Sequence, residues 1–255
     1  LDFQDWLKKY GALPISAEAK TSAPVRALYD LSFAFEDGDV EKPNFAAGNC
    51  LRALFCLGML YKGSVFHKMN AGMGDTIFTP FYKAFTAKGV KIHFFHRVND
   101  IRLGTCNGQT VVEEVEIAVQ ARTPAGYDPF VRVRELDCWP QAPLTDQIER
   151  GDALRAGPDG DGVDGWDGLW KGYNLENRWS GWTDAETIVL RRGEDFDDVI
   201  LAIPPTAHPL IAKDAVASIP MWERMVREVK SVRTQAVQLW FKDDLAALGW
   251  TGGST

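Results

Sequence analysis

The spacing of apolar and polar residues predicts three helices in the first part of the chain. Residues 2–10 form a short amphipathic pattern that Gly11 ends, and a second pattern begins at Pro24 and ends at the turn 36–39. The third, residues 47–60, is apolar on nearly all sides, which is typical of a buried helix. The alternative interpretation of this third helix is a surface that dips into a membrane.

The next stretch, Ala71 to Val98, combines a glycine loop, a helical pattern and a strand pattern. Gly72 and Gly74 flank Met73. Glycines at such positions either provide the positive φ of a helix-entry turn or let the backbone lie close to a ligand. A helical period follows and ends at a glycine, after which residues 90–95 alternate as a strand does.

A β-rich region comes next. Strand patterns at 100–103, 110–120 and 130–136 are separated by turn signals, and they predict a three-stranded antiparallel meander within residues 98–137. Residues 139–182 predict an irregular insertion rich in Gly, Asp and Trp, which is either an aromatic lid or a loop that packs its own tryptophans. The tryptophans of its Gly-rich part are Trp166, Trp170, Trp179 and Trp182.

The last part of the chain predicts both strands and a helix. Residues 187–191 and 196–203 have strand patterns, and the second is apolar enough for a buried strand of a parallel sheet. Residues 220–229 predict an amphipathic helix, and residues 234–241 predict a long strand. Together these elements predict an α+β fold.

Composition narrows the class of protein. Hydrophobic residues make up 45% and charged residues 25% of the chain, as in globular proteins, and a net charge of −7 gives no basic surface for nucleic acid. The four cysteines have no CxxC spacing, so we expect reduced thiols and a cytoplasmic location. We expect no transmembrane segment, because no apolar run reaches about 18 residues. Since the chain begins at Leu1 and stops soon after a strand pattern, we expect it to be a piece of a longer protein.

Three segments occur in an informative order. They are AGMG with its helix and strand up to Arg97-Val98, DFDDVILAIPPTAH at 195–208, and MWERMVREVKSVRTQAVQLWF at 221–241. In this order they resemble the middle of the flavin-containing amine oxidase and phytoene desaturase-like superfamily of FAD-dependent oxidoreductases. The family's dinucleotide fingerprint, a G-x-G-x-x-G that follows the first strand and has an acidic residue about twenty positions on, is absent here, and so is its C-terminal Gly-Asp segment.

The resemblance implies a partial two-domain FAD/NAD(P)-binding flavoprotein fold. Residues 71–212 would then belong to the FAD-binding domain, residues 1–70 to the helical part of a substrate domain, and residues 213–255 to the start of its remaining helix and strand. The implied reaction is hydride transfer from a small apolar substrate to the flavin of FAD.

The resemblance also implies site residues. In the family, the main chain of the valine at the position of Val98 lies beside the adenine of FAD. Further cofactor contacts are expected at Gly72, Met73, Gly74, Ala202, Ile203 and Pro204. His208, shortly after the Pro-Pro pair, is the candidate acid–base residue by its position. The four histidines of the chain do not have the spacing of a metal site.

Two interpretations of function remain open. The chain is a fragment of such an oxidoreductase, and it would then bind FAD poorly by itself because the pyrophosphate site at the first helix is missing. Otherwise it is a binding or interaction module that keeps the flavoprotein scaffold without flavin. The apolar helix 47–60 would suit a cavity wall for a lipophilic substrate, or a peripheral membrane contact.

Overall fold

The computed structural model of the chain describes residues 1–64, 67, 69, 71–158, 171–232, 241–244 and 246–250. The chain divides into two compact units. The helical unit comprises residues 1–63 and 230–255, and the sheet unit comprises residues 64–229. The predicted division at 70/71 and 212/213 concerns the two domains of a parent flavoprotein and stays a prediction.

Short helices build the helical unit. Asp2 begins the first of them, because its side chain accepts a hydrogen bond from the backbone N–H of Gln4. Proline lies in the first turn of the next two, where its missing N–H costs nothing. The helices are α1 (Phe3–Lys9), α2 (Pro14–Ala17), α3 (Ala23–Leu31) and α4 (Ala47–Phe55), and a 3₁₀ turn lies at Glu36–Gly38.

Tyr29 lies at the centre of the core of the helical unit, with no exposed surface. Its ring stacks on Phe35 at 5.1 Å and meets the edge of Phe45 at 5.5 Å. Its hydroxyl donates to Oδ1 of Asp2 at 2.5 Å, and the backbone N–H of Phe45 donates to Oδ2 at 2.9 Å. One carboxylate therefore ties α1, α3 and the segment before α4 together.

The helix predicted at 47–60 forms, but its predicted burial is wrong. α4 continues as a π-helical turn over Cys56–Leu60. Ala47 and Cys50 are buried, whereas the apolar side chains of the π-helical turn are exposed, and Met59 is 72% exposed. The reason is that only the first turns of α4 lie against the core around Tyr29.

The sheet unit begins with the helix of the Ala71 to Val98 stretch and continues into strands. The helix opens with a π-helical turn, Gly74–Phe78, and continues as α5, Thr79–Ala87. Gly89 follows with φ of 82°, as expected for a helix-ending glycine. The strands are β1 (His96–Cys106), β2 (Gln109–Val119), β3 (Val131–Val133), β4 (Leu136–Cys138) and β5 (Glu186–Arg191). The later helices are α6 (Gly151–Ala156), α7 (His208–Ile211), α8 (Lys213–Ser218) and α9 (Pro220–Glu228), with 3₁₀ turns at Thr145–Gln147 and Pro205–Ala207.

β1 and β2 form a long antiparallel hairpin. Asn107 and Gly108 form its turn, both with positive φ, which matches the twist of the strands. The register shifts after Val98, where Asn99 has no partner and forms a bulge. The bulge puts Val98 on the same face of the sheet as Ile101, and that face packs on the core.

The predicted meander is wrong in its third strand. The sheet has the order β1-β2-β5, so its third strand comes from 186–191, which the strand pattern at 187–191 predicts. Residues 130–136 instead contribute to the separate hairpin of β3 and β4. The 2-residue alternation finds each strand but does not specify its partner.

Two further strand predictions are wrong. Residues 90–95 and 196–203 follow the strand pattern but form no ladder in the structure. Ile200 is 94% exposed, although a buried parallel strand was expected there. An apolar strand needs hydrogen-bonded neighbours on both sides to be buried, and neither segment pairs with another strand in the described part of the chain.

The mixed α+β class is confirmed, with helices and an antiparallel sheet. α7 and α8 pack on β1, α9 packs on α8, and the core that they form contains Ile101, Ile211 and Ala215. No helix among the described residues is long and apolar enough to cross a membrane. The strand predicted at 234–241 lies outside the described residues except for Phe241, and Trp166 and Trp170 lie outside them entirely.

Candidate functional site

A cavity of 1290 Å³ lies in the sheet unit, beside the start of β1. Its walls come from four segments that are far apart in the sequence: the entry to β1, the Trp139 segment, the loop after residue 171 and the turn before α7. Such a volume exceeds that of many small-molecule sites, which span about 300–1,000 Å³. It is therefore large enough for an extended organic ligand.

Val98 and Ile203, two of the predicted cofactor residues, line this same cavity. They come from separate motifs, one at the entry of β1 and the other before the Pro-Pro pair. The Val98 side chain also packs on the core of the sheet unit. β1 is an edge strand, so the backbone groups that face away from β2 are not used by the ladder.

The charge of Arg97, which also lines the cavity, is neutralised by its neighbours. Its guanidinium lies 2.5 Å from the carboxylate of Asp184 and donates from Nε to Asn99 Oδ1 at 3.1 Å. Asn99, the bulge residue of β1, thus also supplies a hydrogen-bond acceptor for Arg97. The cavity consequently has little free positive charge at this wall.

Gln120 joins two of the cavity segments, the entry to β1 and the loop after residue 171. Its backbone N–H donates to the carbonyl of Phe95 at 2.7 Å, and its side-chain amide donates to the carbonyl of Leu175 at 2.7 Å. Its own carbonyl accepts from Nε1 of Trp182 at 2.7 Å. A single buried residue just after β2 therefore sets the spacing of the cavity walls.

Two histidines line the cavity at the entry of β1. Phe95 lies between them with a left-handed φ of 58°, rare for an aromatic residue, and the rings of His93 and His96 lie 5.3 Å apart. Nδ1 of His96 lies 2.5 Å from the carbonyl oxygen of Phe94 and donates to it, since a carbonyl only accepts. The Nε2 atom of His96 is then the acceptor of that ring. A second cavity of 550 Å³ is also lined by both histidines.

The insertion contributes one packed and one exposed tryptophan among its described residues. Trp182 packs against Tyr173 at 5.2 Å and below the guanidinium of Arg150 at 4.6 Å, as the packing interpretation predicts. Trp179 is 78% exposed and lines the cavity. Trp182 thus fits the interpretation of a loop that packs its own tryptophans, and Trp179 fits that of an aromatic lid.

The glycine loop at 72–74 does not line the cavity. Neither Gly72 nor Gly74 has positive φ, so the helix-entry turn that needs it is absent. A Cβ atom on Gly74 would lie 2.9 Å from Cβ of Trp139, and Asp75 accepts from the backbone N–H of Trp139 at 2.9 Å. Because Trp139 lines the cavity, the loop supports a wall from behind.

Ile203 lies in the cavity wall, whereas its predicted companions Ala202 and Pro204 do not line it. His208 is 5% exposed and lies behind this wall. Its Nε2 atom lies 2.9 Å from the carbonyl oxygen of Ile203, and its Nδ1 atom lies 3.1 Å from Nε1 of Trp222. Both ring nitrogens are therefore engaged within the chain.

Sequence reasoning missed Gln120, Tyr127 and Trp139, which line the cavity. Tyr127 accepts from the backbone N–H of Leu144 at 3.0 Å, and burial raises the pKa of its hydroxyl. None of the three belongs to a motif of fixed spacing. An aromatic residue next to proline, as in Trp139-Pro140, is the one local signal that pointed to a structured wall.

No three His, Cys, Asp or Glu side chains come together as a metal site in the part of the chain that the structure describes. The four cysteines are unpaired. Compared with known proteins, the chain matches no family model, no curated sequence and no solved structure.

Proposed function

We propose that this chain forms part of an FAD-dependent oxidoreductase of the amine oxidase and desaturase type, which transfers hydride from an apolar substrate to flavin. In this proposal the large cavity of the sheet unit receives the adenine side of FAD, and the outer main chain of Val98 recognises the adenine edge. The cofactor supplies the redox chemistry, and the chain supplies binding and orientation.

One observation carries the proposal. Val98 and Ile203 belong to two of the three segments that resemble the flavoprotein family, and they line one cavity although they are far apart in sequence. The character of the cavity adds support, since its aromatic side chains suit a flat ring and the arginine beside Val98 is neutralised by Asp184. The pyrophosphate would need donors from elsewhere, because the sequence has no G-x-G-x-x-G loop that follows a first strand and opens a helix.

The test is a titration of the purified chain with FAD, followed by the quenching of flavin fluorescence. We expect weak binding, with a Kd above about 1 µM, because the pyrophosphate site is missing. ADP should compete, whereas riboflavin, which lacks adenine, should not. Binding that riboflavin displaces and ADP does not would contradict the adenine-side assignment, and no binding of either nucleotide would reject the flavin proposal for this chain.

A matched pair of variants locates the binding. Ala207→Trp fills the cavity from its wall and should abolish binding of FAD. Ala87→Trp adds the same side chain at an exposed position at the end of α5 and should leave binding unchanged. Equal losses in both variants would place the nucleotide outside the cavity.

The second candidate is a binding or interaction module without flavin. The observation that favours it is that residues 90–95 and 196–203 form no parallel ladder in the described part of the chain, so the expected flavin-side sheet edge is missing there. A chain that binds neither FAD nor ADP, yet stays folded by circular dichroism, would favour this candidate.

A further inference from the structure

The hydrogen bonds of His208 select one tautomer. The indole N–H of Trp222 only donates, so Nδ1 of His208 must accept the hydrogen bond at 3.1 Å. The proton of the neutral ring then lies on Nε2, from which it is donated to the carbonyl of Ile203 at 2.9 Å. His208 is thus satisfied at both nitrogens as a neutral, buried side chain.

The Leu201 and Ile203 side chains of the segment that His208 holds pack on the core, but the backbone of this segment makes few other hydrogen bonds. Pro204 and Pro205 have no N–H, so they cannot join a ladder as donors. Residues 196–203 are not part of a sheet in the structure. Besides the bond from His208 to Ile203, the turn has an internal hydrogen bond from the N–H of Ala207 to the carbonyl of Pro204 at 2.9 Å.

The other end of this connection is fixed to the core. Trp222 belongs to α9 and packs on the cluster that contains Ile101 and Ile211. The carbonyl of His208 accepts from the N–H of Ala212 at 2.7 Å, and Ala212 is buried in the same cluster. A continuous set of contacts therefore runs from the sheet core through Trp222 and His208 to the Ile203 carbonyl.

We infer that His208 is a positioning residue: in its Nε2–H form, oriented by Trp222, it fixes the Ile203 wall of the large cavity and so sets the affinity of the ligand there. This inference rests on the proposed function for the identity of the ligand. It replaces proton transfer by His208 with a structural task, because neither nitrogen is available to a substrate while both hydrogen bonds are made.

Three variants test the two hydrogen bonds separately. In His208→Gln, the side-chain amide can donate to Ile203 and its carbonyl can accept from Trp222, so both bonds are retained. His208→Leu fills the space but leaves both the Ile203 carbonyl and the Trp222 indole N–H without a partner. Trp222→Phe keeps an aromatic ring but removes the donor that orients His208.

The measurements are the Kd for FAD, with ADP as competitor, and nitrogen-15 NMR of the His208 ring and of the backbone amides of residues 203, 206–208, 210 and 211. In the wild type, the ring nitrogens should show the Nε2–H tautomer. His208→Leu should weaken FAD binding at least about fivefold and shift these amides, because an unpaired buried carbonyl is costly. His208→Gln should bind within about twofold of wild type, and Trp222→Phe should mix the tautomers and weaken binding by an intermediate factor.

The outcomes separate this inference from the proposed function. An Nδ1–H tautomer in the wild type, or a His208→Gln variant as weak as a folded His208→Leu, would overturn the positioning role. If wild type binds no FAD, the proposed function fails, and the NMR measurements alone decide whether His208 fixes the wall. If His208→Leu does not fold, the tautomer and the Trp222→Phe and His208→Gln comparison still decide it.

Discussion

The helical unit and the sheet unit stabilise their cores in different ways. In the helical unit, the carboxylate of Asp2 accepts hydrogen bonds from Gln4, Tyr29 and Phe45 within an aromatic cluster. In the sheet unit, the ladder of β1 and β2 carries an aliphatic core on one face and ion pairs around Arg102 on the other. The comparison indicates that one polar group dominates the first core, whereas many modest contacts share the second.

The largest effect is expected from Asp2→Ala. The change leaves buried donors of Tyr29 and Phe45 unpaired, so the helical unit should lose about 3–5 kcal/mol of unfolding free energy. Asp5→Ala is the matched control in α1, because Asp5 is exposed and only forms an ion pair with Lys8. Urea denaturation followed by circular dichroism measures both. Similar losses of unfolding free energy in the two variants would mean that the hydrogen bonds of Asp2 do not dominate the core of the helical unit.

Ile101→Ala tests the aliphatic core of the sheet unit. Ile101 is buried between β2 and the helices after β5, so we expect a loss of about 2–4 kcal/mol from transfer and cavity terms. Val133→Ala, at an exposed site of β3, should cost less than about 0.5 kcal/mol. Thermal unfolding of both variants gives the values, and an Ile101→Ala loss below 1 kcal/mol would mean that this core is not packed as described.

Alkaline pH should weaken the helical unit. Burial, followed by the hydrogen bond to Asp2, raises the pKa of the Tyr29 hydroxyl well above its ordinary value of 10.0. A raised pKa stabilises the folded state fully below pH 10, and this contribution is lost as pH rises further, by up to about 1.4 kcal/mol for each pH unit. Stability measured against pH should show this loss, and Tyr29→Phe should lack it. A Tyr29→Phe profile identical to wild type above pH 10 would contradict it.

The smallest effect is expected at Arg102. It pairs with Asp100, Glu114 and Glu116 on the solvent side of the sheet, and the hydrogen bond from Arg102 lowers the pKa of Glu114. Arg102→Met should lower the unfolding free energy less than Ile101→Ala does, since salt and water screen exposed ion pairs. The difference from wild type should shrink as salt is added. A large, salt-independent loss would show that the ion pairs matter as much to the sheet unit as Asp2 does to the helical unit.

The elements that the sequence predicts well have local signals. α1 has a capping Asp2 and an ending Gly11, and the β1–β2 hairpin has Asn107-Gly108 between alternating residues. The segment 90–95 alternates as clearly and the segment 196–203 ends in an apolar run, but neither forms a ladder. Strand pairing depends on partners far away in the chain, which alternation does not encode. The prediction that the end of the 47–60 helix is buried is wrong for a related reason, because an apolar composition does not specify which residues will cover the helix.

The candidate site was predictable in part. Val98 and Ile203 come from the motifs and both line the cavity, whereas their contact with a cofactor stays a prediction. Gln120 was not found, because its role depends on meeting Phe95 and Leu175 in space. The glycine loop was predicted to contact the cofactor, but it lies behind the cavity wall, because Gly74 makes room for Trp139.

The bulge at Asn99 has a consequence for how β1 can change over evolution. Because one unpaired residue separates Val98 from Asp100, the two halves of the strand follow opposite odd–even rules for which side chains enter the core. Deleting Asn99 would restore a single rule in which Val98 and Ile101, then two positions apart, both still face the core. The core side of β1 can therefore tolerate the loss of the bulge, whereas Arg97 at the cavity would lose the hydrogen bond that Asn99 accepts from it.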